Sequence, residues 1–87
     1  MAKEQYKVYG TILAVKGNCD FGHKAGQKFE LSGYSPNGLC GYFYNMLFPY
    51  IIMLEFGGKF PEAWGGEVMR FDCIDVENAV SIELRRE

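Results

Sequence analysis

The stretch LCGYFYNMLFPYIIMLEF, residues 39–56, decides the fold of this 87-residue chain. It reads as the helical region. Its aromatic and aliphatic residues, from Tyr42 and Phe43 through Met46, Leu47 and Phe48 to Ile51, Ile52 and Leu54, leave it with no polar face. A helix that is apolar all round must be covered all round. Pro49 cannot donate an amide hydrogen bond and crowds the preceding turn, so the reading predicts one kinked helix or two short ones. Asn37 or Ser35 is placed to cap a start near Gly38 or Leu39, and Gly57-Gly58 stops the segment.

Working outward, strand signals lie on both sides. Tyr6 to Val15 is rich in β-branched and aromatic residues and opens with alternation, and Lys16-Gly17-Asn18 ends it with turn chemistry. Lys28 to Leu31 alternates, with Phe29 and Leu31 expected to face the core. After the helix come an irregular loop around Trp64, a strand over residues 67–73, a turn at 75–78 and a last strand over residues 79–85. In that last strand Val80, Ile82 and Leu84 share one face. The order β-β-α-β-β predicts one α+β domain over residues 1–87, a small antiparallel sheet or half-barrel packed on the helix.

Composition narrows the function classes. A net charge of −2, from nine basic and eleven acidic residues, argues against general nucleic-acid binding. The polar stretch from Met1 to Lys7 is followed by no apolar core of an export signal, and three cysteines make an odd number, so free thiols in a cytoplasmic setting are expected. Residues 31–54 carry no charge, yet their densest apolar run, Met46 to Leu54, is far shorter than the roughly 20 residues that span a bilayer. One helical layer on one small sheet cannot cover both sides of an apolar helix. A homo-oligomer through residues 39–56, or a ligand there, is therefore expected.

The residues that can carry chemistry are few. Cys19 and His23 lie four apart on one loop, Cys40 lies near the helix start and Cys73 at a strand end. Together they form a Cys₃His set of the kind that holds tetrahedral zinc, although no Cys-x-x-Cys pair is present. A second reading is thiol chemistry. Cys40 in a first helical turn, or Cys19 beside Lys16 and Lys24, would be the nucleophile with His23 as base. In a third, Cys40 and Cys73 only pack, as buried free cysteines commonly do. Lys24 is expected to supply positive charge at the rim of such a site.

These pieces form a wider pattern: Gly17 and Cys19, Gly22-His23-Lys24 with Gly26 and Phe29, Gly38-Leu39-Cys40, Pro49, Leu54 with Gly57-Gly58, and Cys73 with Asp75. In this pattern the chain resembles a family of small prokaryotic proteins to which no activity is assigned. Ile74 stands where that family has proline. The resemblance covers nearly the whole chain and implies that the three cysteines and the histidine belong to the family pattern, which favours a metal or thiol site without choosing between the two. The expected role is a small binding or accessory module with a Cys/His site, with a thiol enzyme or a packing-only interaction module as the other readings.

Overall fold

The computed structural model describes residues 6–87, so residues 1–5 of the polar N-terminal stretch lie outside the described residues. Four strands and one helix follow the expected order: β1 (Val8–Val15), β2 (Lys28–Leu31), α1 (Gly41–Glu55), β3 (Val68–Asp72) and β4 (Val80–Arg86), with a short 3₁₀ turn at Glu62–Trp64 before β3. The strands form one open antiparallel sheet in the order β2-β1-β4-β3, with α1 packed on it; the fold is α+β.

Alternation builds the sheet's inner face. Val8, Gly10 and Ile12 of β1 and Val80, Ile82 and Leu84 of β4 point inward and are buried, and Ile12 pairs with Ile82 in register. The register then slips between Ile12 and Ala14, a bulge that leaves Leu13 exposed. As expected, Leu31 is buried and Phe29 packs half-buried beside it.

Helix α1 buries Phe43, Leu47, Ile51 and Leu54. Their spacing of four, four and three residues marks one stripe on a helix. The opposite side, with Tyr42, Asn45, Phe48 and Pro49, stays exposed. The Trp64 loop does not cover it. Trp64 is itself exposed, and Phe60 is the residue of that loop that closes the core, against Tyr50 and Phe71. Pro49 lies inside a single helix rather than between two. It denies the Asn45 carbonyl its usual partner, and both residues are exposed, so water can supply the missing donor.

The helix starts later than the sequence suggests. Asn37 and Gly38 both have positive φ, at 50° and 102°, which no right-handed helix accommodates. Cys40 becomes the N-cap, and Ser35 spends its hydroxyl on the Asn37 amide. The stop is where it was expected. Gly57 has φ 95°, its amide donates to Leu54 O at 3.3 Å, and the Gly58 amide donates to Met53 O at 2.8 Å, the paired bonds of a Schellman motif.

Arg86 completes the helix end from the sheet. Its Nη1 donates to Leu54 O at 3.1 Å and to Gly58 O at 2.6 Å, and Nη2 meets Glu67 at 2.7 Å. The guanidinium also lies 4.7 Å over the Tyr6 ring. With no basic residue in its own last turn, α1 borrows this charge from β4.

Two substitutions test this account. Arg86→Met strips charged donors from two half-buried carbonyls and should cost about 2–4 kcal/mol in urea unfolding. Gly57→Ala should cost about 1–2 kcal/mol, because only the left-handed backbone opposes it.

Candidate functional site

Three chain segments meet at one end of the sheet. The first is the loop after β1. The Lys16 amide donates to Ala79 O at 2.8 Å, and the Asn18 amide donates to Asn78 Oδ1 at 3.0 Å. Gly17 lies so close to the Asn78 side chain that any Cβ there would collide with it, which explains glycine at this position. The second segment is the β3–β4 turn. Asp75 Oδ1 accepts from the amides of Glu77 and Asn78, both at 3.3 Å, and Asp75 Oδ2 accepts from Asn78 Nδ2 at 3.3 Å. The third is the start of α1.

His23 joins the first segment to the third. Its ring is buried, with 5% of its surface exposed, and sits 4.8 Å from the Phe21 ring and 5.3 Å from that of Phe29. The Cys40 backbone amide donates to Nε2 at 3.0 Å. An amide can only donate, so Nε2 is the acceptor and Nδ1 carries the hydrogen, which it gives to Gln27 Oε1 at 2.9 Å. Gln27 Oε1 also accepts from the Lys24 amide at 3.1 Å, closing the loop into a tight turn. Both ring nitrogens are thus used within the protein.

Between the three segments lies a cavity of about 480 Å³. Cys19, Cys40 and Cys73, the whole cysteine complement of the chain, line it together with Asp20, Phe21, Tyr42, Ile74, Asp75, Asn78 and Val80. All three thiols are free and half-buried. Cys73 is held there by its amide, which donates to Val80 O at 2.9 Å and extends the β3–β4 ladder.

The expected residues are therefore partly brought together. The three cysteines share a cavity, and His23 does not line it. Among the described residues no group of three or more His, Cys, Asp and Glu side chains is placed to hold a metal ion, so the Cys19–His23–Cys40–Cys73 quartet is not assembled as a zinc centre. A metal on His23 Nε2 would have to displace the Cys40 amide. Lys24 lines an adjoining cavity of about 320 Å³ that shares Cys19 and His23, not the cavity of the three thiols. Sequence reasoning missed Gln27, the partner of His23, and Asn78, which ties the two loops. The spacing of His23 and Gln27 was a readable signal, whereas nothing local points from Asn78 to Asn18.

Elsewhere, the loop before α1 is fixed by the buried Glu55, which accepts from the Gly33 amide at 3.0 Å, and by Tyr44, whose hydroxyl donates to Ser32 O at 2.8 Å. Burial, and then the charge of Glu55, raise the Tyr44 phenol above its ordinary range. No helix among the described residues is long and apolar enough to cross a membrane. Comparisons of the chain with family models, curated proteins and solved structures give no match.

If His23 is a structural pin, His23→Ala should cost about 1–3 kcal/mol by leaving the Cys40 amide unpaired. A chelator added to the wild-type protein should leave its thermal midpoint unchanged. A midpoint that falls with chelator and recovers with zinc would show ligation instead.

Proposed function

We propose that this protein is a small binding module whose site is the cavity walled by Cys19, Cys40 and Cys73. The observation that carries this reading is the convergence of every cysteine, from a loop, a helix start and a strand end, on one concavity. Its volume falls within the range of small-molecule sites, and its walls are largely apolar, with Phe21, Tyr42, Ile74 and Val80 among the thiols. The resemblance to the small prokaryotic family supports the same site, since its recurring cysteines are the residues gathered here. Zinc bridging Cys19, His23, Cys40 and Cys73 is less well supported, because His23 is committed to Gln27 and Cys40. A nucleophilic thiol with His23 as base lacks support for the same reason.

The test uses the thiols as reporters. Iodoacetamide should alkylate all three cysteines, and a saturating neutral aromatic probe, 2-phenylethanol, should slow the three reactions by a common factor of several-fold, read by peptide mass spectrometry. Protection of one cysteine alone, or of none, would remove the basis for a shared site.

A second feature favours self-association. The outward side of α1 exposes Tyr42 and Phe48, with Phe56 exposed just past its end, and carries no charge, and Tyr and Phe are enriched at protein interfaces. The proposed homo-oligomer packs through this side. Sedimentation equilibrium at micromolar concentration should give a mass above the monomer, and Phe48→Lys should restore the monomer.

A further inference from the structure

The charged residues that line the thiol cavity are of one sign. Among the described residues Asp20 and Asp75 line it, and no lysine, arginine or histidine does. Lys16 donates to Val76 O at 3.3 Å and lines a separate cavity, Lys24 lines the adjoining one, and His23 has its ring nitrogens engaged. Among the lining residues the opposing influence is the N-terminus of α1, which reaches the cavity through Cys40 and Tyr42. A helix terminus is equivalent to roughly half a positive charge, against two full negative charges on the carboxylates, so the cavity stays negative. Asp75 divides its oxygens among the amides and side chain of its own turn. The Asp20 carboxylate makes no hydrogen bond or ion pair with any described residue, and it is exposed at the mouth.

From this we infer that the ligand of the cavity is an organic cation: an amine or quaternary ammonium with an apolar body. Apolar walls and sulfur atoms take the body. The aromatic rings of Phe21 and Tyr42 and the carboxylate of Asp20, all of which line the cavity, favour the charged head, and a cleft of one charge sign raises the local concentration of its counter-ion. The inference rests on the reading of this cavity as a binding site and adds the class of ligand to it.

Three probes of nearly equal size and different charge make the test: 2-phenylethylammonium, 2-phenylethanol and phenylacetate. Each is titrated at low ionic strength and followed by the amide resonances of Cys19, Cys40, Cys73 and Asn78. The ammonium should bind about three- to thirtyfold more tightly than the alcohol, the combined effect of one exposed cation–aromatic contact and one exposed ion pair. Phenylacetate should bind more weakly than either. The preference should shrink as salt is raised. In Asp20→Asn, which removes a carboxylate with no hydrogen bond or ion pair to any described residue, the ammonium should lose part of its advantage, about two- to fivefold, while the alcohol binds as before. Equal binding of ammonium and alcohol, or an unchanged preference in Asp20→Asn, overturns the inference and leaves the cavity as a neutral site. Failure of all three probes to shift these resonances overturns both the inference and the site.

Discussion

The hydrogen bond from the Cys40 amide to His23 Nε2 ties the loop after β1 to the start of α1, at the end of the molecule where the cavity lies. Helix α1 begins without a side-chain cap and without an acidic residue in its first turn. Its leading amides would otherwise stand unpaired beside the core. A buried imidazole supplied by a loop seventeen residues earlier takes one of them, and Gln27 fixes the imidazole's tautomer from the other side. The same bond sets where Cys40 stands relative to Cys19, and so sets two of the three thiols of the cavity. The histidine shapes the site from behind its wall.

Much of the fold is written in local pattern. Two-residue alternation marks Val80, Ile82 and Leu84, and Gly57-Gly58 marks the helix stop, because both depend on neighbours a few positions away. The helix start is misread because Asn37 and Ser35 are good caps in general, and only the left-handed backbone at Asn37 and Gly38 diverts them into a turn. The site divides in the same way. That Cys19, Cys40 and Cys73 stand at element ends is visible in the sequence. That Asn78 reaches Asn18, that Arg86 caps α1, and that His23 spends both nitrogens on the protein depend on contacts between distant positions, which no periodicity encodes.

The cavity lies where three connections converge at one end of an antiparallel sheet, and the rigid parts of the fold sit behind it. Val80 belongs both to the core and to the cavity wall, so the floor is fixed by packing. The mouth is formed by Phe21, Asp20 and Ile74, exposed residues that can change without disturbing that floor. Tyr42 lies on the cavity wall and on the uncharged outer side of α1. Binding in the cavity and association through the helix would therefore touch the same side chain.

The central pair of the sheet joins the two ends of the described chain. Val8 stands opposite Arg86, and the Glu87 amide reaches back to Lys7 O. β1, β2 and the apolar helix all precede β4 in the chain, and β4 carries Val80, Ile82 and Leu84 of their shared core and the arginine that closes the helix end. Without that strand the sheet has no middle, and α1 keeps only Val8, Ile12 and Leu31 of β1 and β2 on which to bury Phe43, Leu47 and Ile51. A topology of this kind closes its core by a pairing between distant positions, so its most adhesive segment stays partly uncovered until that pairing forms.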